Sequence, residues 1–221
     1  MNKRILILDG GTRNKGTTNN FCNEIKLLAN KKEINCEIFY AMEFYRKKLD
    51  IEQIITLISN FDILLVVIPC YECALPYPTI ALFEEISSVC KDRFAGKECF
   101  CIAHGGLLYE DIIEPILHSC EYFCDHVMLR WKGGVIITNT TFLNGAKLSE
   151  HKYGAKLIPI LSDVLNTILS GSNLSKSNQK GINPRLPKII VALLMIHLNK
   201  KIKKRFGIKN FREYQITTNT T

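Results

Sequence analysis

Three short segments gather most of the residues able to bind or react. The first, Asp9-Gly-Gly-Thr-Arg-Asn-Lys-Gly-Thr-Thr18, combines Gly10, Gly11 and Gly16 with the hydroxyls of Thr12, Thr17 and Thr18 and the cation of Arg13. Where such a stretch enters a helix, unpaired backbone N–H groups and the positive end of the helix dipole favour an anion. Glycine lets the chain approach closely, and threonine hydroxyls donate to phosphate-type oxygens. The same residues also suit an ordinary helix start, with Thr17 or Thr18 as N-cap. The stretch contains neither the dinucleotide pattern G-x-G-x-x-G nor a Walker A sequence, which disfavours dinucleotide-binding and ATP-binding folds.

The second segment, Ile68-Pro-Cys-Tyr-Glu-Cys-Ala-Leu-Pro-Tyr-Pro78, is aromatic and stiffened by proline, and with Phe83 it offers a wall on which a planar ring can pack. The third, His104-Gly-Gly-Leu-Leu-Tyr-Glu110, supplies two glycines whose N–H groups can approach a polar ring edge. Cys70-x-x-Cys73 admits three readings: a redox dithiol, half of a metal site, or two incidental small residues. A metal needs about two more ligands. No further compact cysteine motif follows Cys73, and His104, His118, His126, His151 and His197 show no ligand spacing. The incidental reading is preferred, and no metal is expected. There is no acid–base dyad, so no side chain is assigned as catalytic.

The elements that must position these segments alternate between strand and helix. Arg4–Leu8, Cys36–Tyr40, Asp62–Ile68, Glu98–Ala103 and Gly134–Thr138 read as strands, the third almost wholly apolar, as expected when both faces are buried. Helices are expected after Thr17, over Ile51–Ser59, from Thr79 to about Cys90, from about Glu110 to Cys124, and over Tyr153–Leu169. Five strands alternating with helices imply an α/β fold, a doubly wound parallel sheet with helices on both faces. Ligands of such sheets sit outside the carboxyl ends of the strands, which points to loops 9–18, 69–78 and 104–110.

A chain of 221 residues with 47% hydrophobic and 23% charged residues is an ordinary globular composition and excludes a disordered, collagen-like or coiled-coil protein. Nine cysteines, scattered and odd in number, fit a reducing cytoplasm better than a secreted disulfide scaffold. The N-terminus has too short an apolar run for a signal peptide, and the longest run, Ile189 to Leu198, is about half of a membrane span.

Charge divides the chain unevenly. Residues 1–172 hold 18 Lys and Arg against 20 Asp and Glu, whereas residues 173–221 hold 11 against the single acid Glu213. With the Ser- and Asn-rich stretch 170–181, this places a boundary between a body, 1–172, and a linker plus basic amphipathic helical extension, 173–221. The extension, chiefly residues 188–209, has three readings: packing within the core or an oligomer, contact with a membrane surface, or nucleic-acid binding by its basic run. Packing is preferred. Nucleic acid is disfavoured, because aromatic interleaving is thin (Phe206, Phe211, Tyr214).

Over roughly residues 3–170 the sequence resembles the flavodoxin-like NAD(P)H-dependent FMN reductases and quinone reductases, including the multimeric flavodoxins. The carriers are Leu8–Thr18, Ile68–Pro76, the pair Gly105-Gly106 and Trp131-Lys-Gly-Gly134. The resemblance implies a flavodoxin-like sheet binding FMN, with NADPH or NADH as hydride donor and a quinone or free flavin as small-molecule acceptor. It assigns Gly11, Thr12, Arg13, Gly16, Thr17 and Thr18 to the FMN phosphate. Pro69, Cys70, Tyr71, Glu72, Gly105, Gly106 and Tyr109 are assigned to the ring. It also implies a cytoplasmic homodimer or homotetramer, membrane-peripheral if the extension docks there. Thr12 stands where many relatives carry Ser, and Cys70 and Cys73 where aliphatic or small polar residues are commoner. The alternative is a non-catalytic flavodoxin-like electron carrier or redox-sensing module. The near-neutral body argues against it, since carriers of that kind tend to be strongly acidic.

Overall fold

Alternation of side chains along five apolar runs decides the architecture. The strands are β1 (Ile5–Asp9), β2 (Cys36–Tyr40), β3 (Ile63–Pro69), β4 (Glu98–His104) and β5 (Arg130–Ile137). The helices are α1 (Thr17–Asn30), α2 (Ala41–Tyr45), α3 (Ile51–Ser59), α4 (Tyr77–Val89), α5 (Glu114–His126) and α6 (Lys152–Leu169). This computed structural model describes residues 3–13, 15–90, 92–106 and 109–175. In the extension it describes Ile189, Leu193, Ile196, His197, Asn199, Lys200, Lys201, Lys203 and Lys204, all helical. The linker beyond residue 175 and the segment after 204, both part of the expected extension, lie outside the described residues.

All strand pairs are parallel, in the order β2-β1-β3-β4-β5. Because successive strand residues face opposite sides, one set (Leu6, Leu8, Leu64, Val66, Ile68, Cys99, Cys101) packs with α3, α4 and α5. The other (Ile5, Ile7, Ile63, Leu65, Val67, Phe100, Ile102) packs with α1 and α6. Each fully buried Ile or Leu contributes about 1.5–3 kcal/mol. Small buried thiols fill the gap between β4 and α5, where Cys120 Sγ lies 3.8 Å from Cys101 Sγ. All nine cysteines are free, and Cys73 alone is exposed.

Local chemistry explains where the helices begin. Asp50 caps α3 in a reciprocal box, accepting from Gln53 N–H at 2.8 Å while its own N–H donates to Gln53 Oε1 at 3.0 Å. The helix expected from Glu110 is a 3-10 turn, Glu110–Ile112, followed by α5. Pro115 suits the first turn of a helix but not its interior. The short helix α2 carries no pattern long enough to read from sequence.

The fifth strand begins four residues earlier than Gly134. Cys99 pairs with Trp131 but Cys101 with Gly134, so β5 carries one extra residue, a bulge. Gly133 takes φ +87 there, and a Cβ would lie 2.2 Å from the Leu174 carbonyl oxygen. Leu174 is buried and its N–H donates to the Lys132 carbonyl at 2.8 Å, tying residues after α6 back onto the sheet. Gly133→Ala must strain the backbone and displace this tether, with an expected loss of about 3 kcal/mol. That lowers the thermal midpoint by roughly 6–12 °C for a chain of this size. A midpoint unchanged in a calorimetric scan would refute the role given to the bulge.

By its internal contacts the chain divides into Met1–Asn183 and Pro184–Thr221. No helix among the described residues is long and apolar enough to cross a membrane.

Candidate functional site

Five parallel strands end on one edge, so the loops that follow them converge there. The crevice opens between β1 and β3: α1 leaves β1 toward one face of the sheet, and α4 follows β3 onto the other. A cavity of about 590 Å³ lies at this edge, within the range of small-molecule sites. Loop 9–18 contributes Gly11, Thr12, Arg13, Lys15, Gly16, Thr17 and Thr18 to its walls. The β3 loop adds Pro69, Cys70 and Tyr71, and the β4 end adds His104, Gly105 and Gly106.

The N-terminus of α1 opens on the cavity. The N-cap Gly16 gives no side-chain bond, and the helical ladder begins with Asn20 N–H donating to the Gly16 carbonyl at 3.0 Å. The N–H groups of Thr17, Thr18 and Asn19 precede that first rung, and Arg13 and Lys15 add positive charge. Gly11 is required by space: a Cβ would lie 2.9 Å from Asp9 Oδ1 and 3.0 Å from Thr18 Oγ1. Thr79 Oγ1 donates to the Gly10 carbonyl at 3.1 Å and joins α4 to this loop.

Two buried titratable groups set the frame from opposite directions. Asp9, at the end of β1, accepts from Gly11 N–H at 2.8 Å and Asn19 Nδ2 at 3.4 Å. Burial nonetheless pushes its pKa up to about 6, against those hydrogen bonds. His104, at the end of β4, lies 2.9 Å from Thr18 Oγ1 through Nε2 and 3.2 Å from Thr140 Oγ1 through Nδ1. Burial pulls its pKa down to about 3, so the ring is neutral at physiological pH, one nitrogen donating and the other accepting. His104 therefore orients two hydroxyls and supplies no positive charge.

The β3 loop is held in an uncommon conformation. Tyr71 and Ala74 exchange both backbone hydrogen bonds, at 3.2 and 3.0 Å, around Glu72 and Cys73, which take φ 51 and 65. Two positive φ values at the tip are the pattern of a tight type I′ hairpin, here without the usual Asn or Gly. Burial raises the Cys70 pKa, and its Sγ donates to the Ile112 carbonyl at 3.6 Å, so it stands there as a thiol. Among the described residues, no three His, Cys, Asp or Glu side chains converge as metal ligands.

Of the thirteen residues assigned from sequence, eleven line the cavity, and Glu72 and Tyr109 do not. Glu72 sits at the hairpin tip with its side chain in solvent, and Tyr109 is an exposed residue entering the 3-10 turn. The loop after β5 was missed. Thr140, Thr141, Asn144 and Gly145 line the cavity, held by Thr140 N–H to the Gly105 carbonyl at 2.9 Å and by Asn20 Nδ2 to the Gly145 carbonyl at 2.8 Å. The Thr-Asn-Thr-Thr cluster that follows the strand was the available signal. Just before Thr140, Asn139 Oδ1 is a buried acceptor with no donor among the described residues.

A larger cavity, about 700 Å³, runs along α4 and α5 and is lined by Leu75, Ile80, Phe83, Tyr122 and Phe123 among others. Its walls are mainly apolar side chains. The cavity at the carboxyl edge of the sheet gathers polar groups from four loops.

Neither a protein-family model nor a curated protein sequence matches this chain significantly. Solved structures do. A Klebsiella pneumoniae protein assigned as a quinone reductase superposes with a TM-score of 0.61 at 9% identity, over 77% of this chain and 86% of that one. The fold is flavodoxin-like. An NADH:FMN oxidoreductase gives 0.55 at 14% identity over 77% of this chain and 91% of its own. General stress protein 14 of Treponema denticola, determined in complex with FMN, gives 0.53 at 13% identity over 75% and 99%. In this flavodoxin-like sheet, the loops after β1, β3, β4 and β5 form one polar cavity at the carboxyl edge.

Proposed function

We propose that the chain is a flavin-dependent oxidoreductase that binds FMN at the carboxyl edge of the sheet. In this reading it takes hydride from NADPH or NADH and passes the electrons to a small acceptor, a quinone or free flavin. The observation that carries the reading is the meeting of the α1 N-terminus, the glycine–threonine loop and the Gly105–Gly106 turn around one cavity. The structural neighbours support it, since their names include quinone reductase, NADH:FMN oxidoreductase and an FMN complex.

The residues present fit such a group. Gly11, Gly16, Gly105 and Gly106, the hydroxyls of Thr12, Thr17 and Thr18, and the cations Arg13 and Lys15 line one cavity at the N-terminus of α1, whose N-cap makes no side-chain bond. Thr12, Thr17 and Thr18 and the first-turn N–H groups would hold the phosphate, with Arg13 and Lys15 adding charge. Pro69, Cys70 and Tyr71 would flank the ring, and Gly105 and Gly106 would present backbone to its polar edge. FMN, when bound, accepts hydride at N5 and returns the electron pair to an acceptor. The chain's own part is orientation and electrostatics. His104, neutral and bonded to two hydroxyls, fixes Thr18 and Thr140, and the Cys70 thiol stays protonated beside the ring.

Purified protein supplemented with FMN should show a perturbed flavin spectrum that NADPH or NADH bleaches without oxygen. Bound flavin that neither nucleotide reduces would favour an electron carrier or sensor. Failure to bind FMN at all would overturn the assignment of the cavity.

A further inference from the structure

The extension presents an apolar stripe that continues into positive charge. Ile189, Leu193 and Ile196 are helical and 72%, 61% and 53% exposed, far more than aliphatic side chains of a packed helix. Their spacing, i, i+4 and i+7, puts them on one face, and the next position of that face, i+11, is Lys200. Lys200, Lys201 and Lys204 are also helical and exposed. In sequence, five of residues 200–205 are basic, and no acid occurs between Asp163 and Glu213.

We propose that this helix is a docking surface for anionic lipid, lying in the plane of a membrane surface. Ile189, Leu193 and Ile196 would enter the boundary between headgroups and acyl chains, while the lysine stems would snorkel so that their ammonium groups meet lipid phosphates. Charge selects this occupant. A second copy of the chain would offer a body carrying 18 basic against 20 acidic residues, little attraction for a segment with 11 basic residues and one acid. An anionic bilayer offers both the negative surface and the apolar boundary that the two halves of the face require. The run from Ile189 to Leu198, nine apolar residues and His197, is too short to cross the bilayer, so the segment would lie on it.

The test is sedimentation of the full chain with phosphatidylcholine vesicles, and with vesicles in which about three lipids in ten are phosphatidylglycerol. Binding should be confined to the anionic vesicles and fall at least tenfold when salt is raised to about 0.5 M. The triple variant Ile189→Asp, Leu193→Asp, Ile196→Asp should bind at least tenfold more weakly. So should Lys200→Gln, Lys201→Gln, Lys204→Gln, with the thermal midpoint unchanged in both. Equal binding to neutral vesicles, or full binding by the aspartate variant, would overturn the proposal. So would sedimentation equilibrium showing a dimer that the aspartate variant dissociates, since the stripe would then belong to a second copy. Tighter binding to duplex DNA than to anionic vesicles at the same ionic strength would also defeat it.

Discussion

Replacing Asp9 by Asn should make the stability of the protein climb with pH between about 4 and 6, relative to the unmodified chain. The two buried groups of the site titrate in opposite senses. Asp9 has a folded pKa of about 6 against an ordinary 3.8, so between those values the folded state holds a proton that the unfolded state has released. Its effect is a loss of stability as pH rises through that window, about 3 kcal/mol in all. His104 has a folded pKa of about 3 against 6.5, so between those values the unfolded state holds the extra proton. Stability from this group is complete above about 6.5 and is lost as pH falls toward 3, at up to about 1.4 kcal/mol per pH unit.

Over the shared window one extra proton on each side cancels, and the pair together contributes almost no slope. Asn at position 9 removes one side of that balance and leaves the histidine slope uncovered. His104→Gln should give the mirror image, a protein that loses stability as pH rises from about 4 to 6. Urea unfolding across pH measures both. Parallel stability curves for Asp9→Asn and the unmodified chain would show that Asp9 is not protonated where its burial places it.

The second large effect concerns the cradle. Gly11→Ala should weaken FMN binding by roughly 10- to 100-fold, or about 1.4–2.8 kcal/mol. The added methyl meets Asp9 Oδ1 at 2.9 Å, Thr18 Oγ1 at 3.0 Å and Thr18 Cβ at 3.1 Å, and both side chains are short, buried and held by hydrogen bonds. To make room the loop must lengthen the Gly11–Asp9 hydrogen bond, now 2.8 Å, or turn Thr18 away from His104 Nε2, now 2.9 Å. Either movement shifts the hydroxyl and first-turn donors assigned to the phosphate. Overpacking of this kind costs about 1–3 kcal/mol of stability, which leaves a folded protein on which to measure the affinity. Calorimetric titration with FMN reads the result, and an unchanged affinity with a native thermal midpoint would remove Gly11 from the binding site.

Much of the site was legible because its chemistry is local. A glycine–threonine stretch between an apolar run and a helical pattern puts backbone N–H groups and hydroxyls at a helix start, and Gly11, Thr12, Gly16, Thr17 and Thr18 all line the cavity. The residues that sequence reasoning misplaced depend on the path of a loop. Glu72 follows Cys70 and Tyr71 but projects away, because the chain reverses at positive φ on two consecutive non-glycine residues. Tyr109 is assigned to the ring by the resemblance, yet its side chain stands in solvent at the entrance of a 3-10 turn. Thr140, Thr141 and Asn144 reach the cavity because β5 ends beside β4, a neighbour relation that strand order decides.

The sequence by itself determined the sheet. Runs of apolar residues alternating with helical patterns leave few arrangements besides a parallel, doubly wound sheet, because strands buried on both faces must be crossed over by helices. It also placed glycine and threonine at the start of α1, residues that suit an anion site and an ordinary helix start alike. Tertiary structure alone decided the protonation of Asp9 and His104. Their side chains are ordinary in composition, and burial at the ends of two strands separates their pKa values from the usual ones in opposite directions. It alone decided that β5 bulges at Gly133, since the extra residue is defined only by its pairing with Cys99 and Cys101. Local propensity acts over a few residues and is written in the chain; desolvation and register depend on groups brought together from distant positions, and exist only once the fold has formed.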